Sequence, residues 1–305
     1  MIDWKELSNE IRQTLPGIRL LEEEPLARHT SFRIGGPAAV FAQPSSAEEL
    51  AALLRLLSEK NIRPRVLGAG TNVLAPDEGL REVVVCTKDA LLGLTGLGGG
   101  EIEAGAGETL SKTAVFARNL GLTGLEFAHG IPGTVGGGIY MNAGAYGGEM
   151  KDVVKSCRYI DEDGEIREMS AGEMELCYRG SIFRKHDFVI TSVVFKLLDG
   201  EKTAIKARMD ELMQRRRDKQ PLEYPSCGST FKRPENGFAA ALIEECGLKG
   251  CSIGGAEVSQ KHSGFVINKG GAAFGDVVAL VEHIKKIVRE QKGVELECEM
   301  IIVDK

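Results

Sequence analysis

The sequence predicts an α+β protein built from two or three subdomains. Its 305 residues exceed the size at which one hydrophobic core stops growing. Apolar residues switch along the chain between helical spacing and short β-type runs, with hairpin signals between them. The 38 glycines stand well above the usual share of about 7%, which calls for many sharp turns or close approaches of backbone to a ligand.

The first unit, residues 1–88, starts with a polar segment of helical pattern, MIDWKELSNEIRQ. HTSFRIGGPAAVFAQP then supplies a strand, and Ser46 to Lys60 a helix. Ser46 and Glu49 form a capping-box pattern there, and Leu50, Leu53, Leu54 and Leu57 share a face. RPRVLGAGTNVL is a short strand entering a glycine turn, and REVVVC is another strand, so the unit is a small β-α-β arrangement. The second unit, 89–199, holds a helix from Leu110 to Leu120 stopped by Gly121 and a glycine-dense stretch from Gly130 to Gly148. A hairpin, CRYIDEDGEIREM, turns at Asp163-Gly164, and the strand DFVITSVVFKLL closes the unit. The third unit, 200–305, opens with a charged helix, Glu201 to Lys219. It continues through the loop PLEYPSCGSTFKRP, the helix GFAAALIEEC ended by Gly247, the strand GFVIN, the helix Gly275 to Gln291 and the strand VELECEMIIV.

A hydrophobic fraction of 43% with 27% charged residues is ordinary for a globular protein. The net charge of -6 argues against a nucleic-acid or anionic-membrane binder, because the overall field would repel either polyanion. No run approaches the ~20 apolar residues of a membrane span, and the polar N-terminus has no signal-peptide core, so the expected place is the cytoplasm. Seven scattered cysteines, without a C-x-x-C pair or zinc-type histidine spacing, are expected as reduced thiols that mostly fill the core; no metal site is expected.

Single motifs leave alternatives open. Gly68-Ala69-Gly70-Thr71-Asn72 follows a strand, but Val73 and Leu74 stand where a dinucleotide fingerprint needs its third glycine, and Pro76 denies the helix. It is either a tight turn or a ligand loop. In Gly130-Ile131-Pro132-Gly133-Thr134-Val135-Gly136-Gly137-Gly138, small residues would let several N–H groups converge on one anion, or would merely pack a close corner. Arg215-Arg216-Arg217 with Lys219 ends a helix, where a charge run is ordinarily a solvated face. Glu295, Glu297 and Glu299 alternate with apolar residues, so a strand would turn all three carboxylates to one side.

The motifs taken together are far more specific. GLEFAHGIPGTVGGGIYMNAGAYGGE, YRGSIF, PSCGSTFKRP with downstream GLKG, and GVELECE resemble the successive signature blocks of the UDP-N-acetylenolpyruvoylglucosamine reductase family. The resemblance covers the chain from about Arg28 to its end, in the family's order, and is to the shorter form, because no inserted segment could supply the longer form's tyrosine loop. It implies a vanillyl-alcohol-oxidase-type (PCMH-type) FAD-binding fold of two subdomains, about 33–199, followed by a substrate-binding domain whose last strand carries a catalytic glutamate. It implies non-covalent FAD, NADPH as co-substrate, and UDP-N-acetylglucosamine enolpyruvate as the molecule reduced to UDP-N-acetylmuramate for peptidoglycan. No obligate protein partner is implied.

Position by position, the resemblance assigns Gly68, Ala69, Gly70, Thr71 and Asn72 to FAD. It adds Ile131, Gly133, Thr134, Gly136, Gly137 and Asn142 from the second glycine block. Arg179, Ser229 and Glu299 match the catalytic positions, while Tyr178, Lys219, Lys249 and His262 fall where the family contacts its substrate. Many relatives carry a basic residue two places after the catalytic glutamate; here Ile301 stands there. Two other readings stay open on sequence: a flavoenzyme of the same fold that oxidises an alcohol or sugar, and a sugar-nucleotide-binding protein without catalysis.

Overall fold

The computed structural model describes residues 2–235 and 237–303. Met1, Asn236, Asp304 and Lys305 lie outside it, and with them the first residue of the expected N-terminal helical segment. Mixed helix and strand run throughout, and the chain divides into two compact units, neither of them contiguous. Unit 1 comprises 1–23, 39–69 and 81–214; unit 2 comprises 24–38, 70–80 and 215–305. Each has its own buried core.

Unit 1 begins with helix α1 (Trp4–Thr14), capped by the Asp3 carboxylate, which accepts the N–H groups of Lys5 and Glu6. Its first sheet has four strands in the order Arg19–Pro25, Pro37–Gln43, Leu80–Cys86, Arg65–Leu67, the last two parallel. Helix α2 (Ala47–Glu59) lies between the second and third of these strands in sequence and is capped by Ser46, whose hydroxyl accepts the Glu49 N–H. The reciprocal half of the expected capping box is displaced: the Glu49 carboxylate accepts from the N–H and hydroxyl of Ser45 instead. Leu50, Leu53 and Leu57 are buried and Leu54 partly so, as the helical spacing predicts.

The second sheet of unit 1 has five strands, ordered Ile166–Ser170, Val154–Ile160, Val189–Lys196, Glu101–Gly105, Leu94–Gly98, all antiparallel. The expected hairpin joins the first two, with Gly164 at φ 78 and the Asp161 carboxylate accepting the N–H groups of Asp163 and Glu165. Helix α3 (Leu110–Leu120) ends at Gly121 in the left-handed conformation, as predicted. A short helix absent from the sequence reading, α4 (Val135–Tyr140), starts inside the glycine-dense stretch with Thr134 as its cap.

Helix α5 (Lys202–Lys219) buries Ile205, Met209 and Leu212 at the spacing of one narrow stripe. Arg216 continues that spacing and is buried as well. The expectation of a solvated arginine run therefore holds for Arg215 and Arg217 but not for Arg216.

Unit 2 packs helices α6 (Ala239–Glu245) and α7 (Phe274–Lys292) with a three-stranded antiparallel sheet, Ser252–Ile253, Ala256–Val258 and Val266–Asn268. Phe32, Ile34 and Leu74 enter the same core beside Val277, Val281 and Ile284 of α7. The expected C-terminal strand is much shorter than VELECEMIIV: only Ile301–Ile302 forms a regular ladder, parallel to Val73–Leu74. Before it the chain makes a single bridge, Cys298 to Phe231. Burial still alternates there, since Leu296 and Met300 point inward while Glu295 and Glu297 are exposed. The apolar periodicity was real, but among the described residues the pairing there is confined to the short stretch around that bridge and does not extend into a regular ladder.

Candidate functional site

In unit 1 the YRGSIF block forms a tight corner. Cys177 and Gly180 each donate an N–H to the other's carbonyl at 3.1 Å, leaving Tyr178 and Arg179 at the tip. Arg179 sits at φ 54, a left-handed conformation uncommon outside glycine. Gly180 follows because a Cβ there would lie 2.8 Å from Cys177 Sγ. The Arg179 guanidinium lies 5.0 Å over the Tyr178 ring and donates through Nη2 to the Gly144 carbonyl at 3.4 Å. Asn142 is fully buried behind the corner. Its Nδ2 donates to the Cys177 carbonyl at 3.0 Å and to Glu149 Oε2 at 2.7 Å, while its Oδ1 accepts the Lys151 N–H at 2.9 Å.

The two glycine segments also meet within unit 1. A Cβ on Gly68 would come 2.5 Å from Thr134 Oγ1, so the first loop can pass the second only as glycine. Gly68 and Ala69 are half-exposed, as are Ile131 and Gly133. The helical part of the second segment differs from a bare N–H cradle. Val135 N–H donates to the Glu108 carbonyl, Gly136 N–H to the Ala106 carbonyl, and Gly137 N–H to Thr134 Oγ1. Gly136 and Gly138 are buried packing positions, the first against Ala106 and the second against Leu110. Gly137 alone of the three faces outward. Thus the close-corner reading applies to two of these glycines, and accessible positions of the segment are 130–133 and the Gly137 face, Thr134 itself being buried.

In unit 2 the rest of the first loop is held from behind. Gly70 adopts φ 59 so near the His29 carbonyl that a Cβ would stand 2.1 Å from its oxygen. The Gly70 carbonyl in turn accepts the Ser31 N–H at 3.0 Å, and Ser31 Oγ donates to the Ser226 carbonyl at 2.6 Å. Thr71 and Asn72 are half-exposed. Asn72 donates through Nδ2 to the carbonyl of Glu299 at 3.0 Å, and its own carbonyl accepts the Ile301 N–H at 2.9 Å. The segment 229–232 runs antiparallel to 297–299: the Thr230 carbonyl accepts the Glu299 N–H, and the Glu297 carbonyl accepts the Lys232 N–H, each at 2.8 Å. The register sets Thr230 against Glu299, so Ser229 lies one residue from the partner of Glu299.

The three carboxylates that periodicity left equivalent are now distinct. Glu295 pairs with Arg289 and Glu297 with Lys232, both on the surface, whereas Glu299 is partly buried with its main chain gripped at N–H and C=O. Unit 2 also gathers Lys219, Lys249 and His262. Burial pushes the His262 imidazole below its usual 6.5, and the positive charges of Lys249 and Lys219 act in the same direction. His262 Nδ1 accepts the Gly264 N–H at 3.1 Å, so a neutral ring carries its proton on Nε2. Among the described residues no group of three His, Cys, Asp or Glu side chains could hold a metal, and no helix is long and apolar enough to cross a membrane.

Sequence reasoning missed the supporting residues Ser31, Thr230, Glu149 and Lys151. Glu149 lies inside the quoted block NAGAYGGE, but nothing in its spacing points to Asn142.

Residues 220–303 match the family model for the C-terminal domain of UDP-N-acetylenolpyruvoylglucosamine reductase, and residues 38–170 match that of an FAD binding domain. The chain is 50% identical over 297 residues to the UDP-N-acetylenolpyruvoylglucosamine reductase of Caldanaerobacter subterraneus subsp. tengcongensis, covering 97% of this chain and 98% of the relative. To that of Clostridium novyi (strain NT) it is 46% identical over 303 residues, with 99% and 98% covered. The crystal structure of the enzyme from Thermus caldophilus superposes with a TM-score of 0.78 at 33% identity, covering 94% of this chain and all of that one. An alkyldihydroxyacetonephosphate synthase matches at a TM-score of 0.50 and 17% identity, over 65% of this chain and 41% of its own, which is a likeness of fold alone. The architecture is the vanillyl-alcohol-oxidase-type (PCMH-type) FAD-binding fold, and the chain belongs to the UDP-N-acetylenolpyruvoylglucosamine reductase family.

Proposed function

We propose that the protein catalyses the NADPH-dependent, FAD-mediated reduction of UDP-N-acetyl-3-O-(1-carboxyvinyl)-glucosamine to UDP-N-acetylmuramate, a precursor of peptidoglycan, in the cytoplasm. Residues 1–88 and 89–199 form the FAD-binding subdomains and 200–305 the substrate domain, without a nucleic-acid, membrane or obligate protein partner. The observation that carries the reading is the pairing of 229–232 with 297–299, which brings Ser229 and Glu299 into one paired stretch with Thr230 opposite Glu299.

The loops suit the cofactor. Gly68, Ala69, Thr71 and Asn72 are half-exposed around the buried turn at Gly70, and the loop at Gly68 meets Thr134 closely enough that a Cβ would collide. A dinucleotide pyrophosphate needs such access to backbone N–H groups. Ile131, Gly133 and the outward face of Gly137 would line the same cofactor, with Thr134, Gly136 and Asn142 behind them. Bound there, FAD would supply hydride-transfer chemistry, with NADPH as reductant and the terminal carbon of the enolpyruvyl group as acceptor.

The chain's own residues govern the charge and the proton. Hydride addition places negative charge on the substrate carboxylate, and the planar guanidinium of Arg179 can bind both oxygens and stabilise that charge. Ser229 gives a proton to the adjacent carbon, and Glu299 completes the acid–base set beside it. Tyr178 contacts the substrate, and Lys219, Lys249 and His262 face its diphosphate. The test is an absorbance spectrum of the purified protein. A yellow protein should bleach with NADPH and recover its colour with the enolpyruvyl substrate; a colourless protein, or one that bleaches but is reoxidised only by oxygen, would sink the reading.

A further inference from the structure

Resting on that reading, we propose that Asn142 is a positioning residue for Arg179, its side chain holding the catalytic corner rather than the flavin. The side chain is fully buried, and the direction of its amide is fixed by its partners. The Lys151 N–H requires an acceptor, so Oδ1 faces it; the Cys177 carbonyl requires a donor, so Nδ2 faces that. Glu149 Oε2 takes the second Nδ2 hydrogen at 2.7 Å, and Glu149 Oε1 is itself paired with Lys151 Nζ at 2.5 Å. Both amide donors are thus engaged inside unit 1, with no N–H left for a ligand.

What they hold is the corner. The Cys177 carbonyl that receives Nδ2 is the same group that receives the Gly180 N–H and so closes the turn around Tyr178 and Arg179. Arg179 sits there at φ 54, a conformation that persists only where the surroundings impose it. The other end of Arg179 is tied to the same short segment, because its Nη2 donates to the carbonyl of Gly144, two residues after Asn142. Asn142 is itself at φ 42, a region that asparagine, aspartate and glycine tolerate better than other residues. One loop therefore sets both the main chain and the guanidinium of the residue that would bind the substrate carboxylate.

The test uses Asn142→Gly, which removes the side chain without backbone strain, and Asn142→Asp, which keeps the acceptor for Lys151 but removes both donors. In flavin-free protein, amide exchange in peptides covering 176–181 should quicken by up to about tenfold, the scale of one lost hydrogen bond. FAD occupancy and bleaching by NADPH should stay within about twofold of wild type, while reoxidation by the substrate slows about 10²-fold, as small misplacements of a positioning group do. In the Arg179→Ala background the same change should slow reoxidation no further. Unchanged exchange at the corner, loss of flavin with the corner still protected, or losses that multiply with Arg179→Ala would each overturn the proposal. If Asn142→Gly does not fold, Asn142→Asp decides by the same readouts. A wild-type protein that the enolpyruvyl substrate does not reoxidise defeats the functional reading instead, and the exchange data still decide whether Asn142 holds the corner.

Discussion

Gly136 and Gly137 are neighbours in one short helix, yet alanine at each should have opposite consequences. Gly137 faces outward in α4, where replacing glycine by alanine ordinarily gains about 0.5–1 kcal/mol through reduced chain entropy. The nearest obstacle is Thr134 Oγ1, 3.3 Å from the new Cβ, which a small shift of that hydroxyl accommodates. Gly136 is buried, and its Cβ would lie 3.1 Å from Ala106 Cβ and 3.3 Å from the Ala106 carbonyl oxygen. The main chain cannot back away without breaking the Gly136 to Ala106 hydrogen bond of 2.9 Å, so overpacking should cost about 1–3 kcal/mol. At about 2–4 °C per kcal/mol, Gly136→Ala should lower the melting temperature of flavin-free protein by about 2–12 °C, and Gly137→Ala should leave it unchanged or slightly raised. FAD affinity should separate them the other way. A methyl group on the exposed face of Gly137 would crowd a cofactor seated against it, and a loss of about 1.4 kcal/mol is tenfold in Kd. Thermal melts of stripped protein and FAD titrations followed by flavin fluorescence measure both quantities. A Gly137→Ala protein with wild-type stability and wild-type FAD affinity would refute the assignment of that face to the cofactor.

Three further outcomes are expected. In Ser229→Ala, bleaching by NADPH should stay near wild type while reoxidation by the enolpyruvyl substrate slows by ~10²- to 10⁴-fold, the usual effect of losing a general acid; stopped-flow traces that slow equally in both halves would make Ser229 a shaping residue. Of the seven free cysteines only Cys177 is exposed, whereas burial pushes the Cys86 thiol up to about 11 and the Cys157 thiol up to about 12. A chromogenic disulfide reagent at pH 8 should therefore titrate one fast thiol, and Cys177→Ser should abolish that phase. Burial also holds His129 and His262 below their usual 6.5. The unfolded chain then binds protons first as the solution is acidified, so stability present above pH 6.5 should fall as the pH drops below it and level off under the folded values. Melts between pH 7.5 and 5 should show the decline, His262→Gln should flatten it, and a melting temperature that climbs on acidification would contradict the sign.

The sequence made some elements plain because local chemistry determines them. Thr109 and Gly121 bracket α3 as N-cap and left-handed C-cap, and the leucines of α2 repeat at helical spacing above Ser46. Other elements depend on distant partners. The strand Arg19–Pro25 reads RLLEEEP, with three consecutive glutamates and no alternation, and is a strand because Pro37–Gln43 lies beside it. Helix α4 reads VGGGIY, a sequence with poor intrinsic helix propensity that forms against Ala106 and Leu110. Conversely, 294–300 has strand periodicity, but its pairing does not extend into a regular ladder. At the site, the motif blocks named the residues but not their grouping. Nothing within LECE separates Glu299 from Glu297; what separates them is that Asn72, more than two hundred positions earlier, holds the Glu299 carbonyl.

The division of each unit into three stretches of chain has a bearing on synthesis. Everything unit 1 requires has been translated once residue 214 is made, so its sheets and α3 can close while the remainder is still being added. Unit 2 is in the opposite position. Phe32, Ile34 and Leu74 emerge early, but Ile243, Val277, Val281 and Ile284, against which they are buried, come only near the end. Until then three large apolar side chains remain without their core, linked to it by loops whose closure is entropically slow. A nascent chain stalled just beyond residue 214 should thus expose an apolar surface that the completed protein hides, and holding chaperones would find their target at 24–38 and 70–80 rather than in the longest hydrophobic strands.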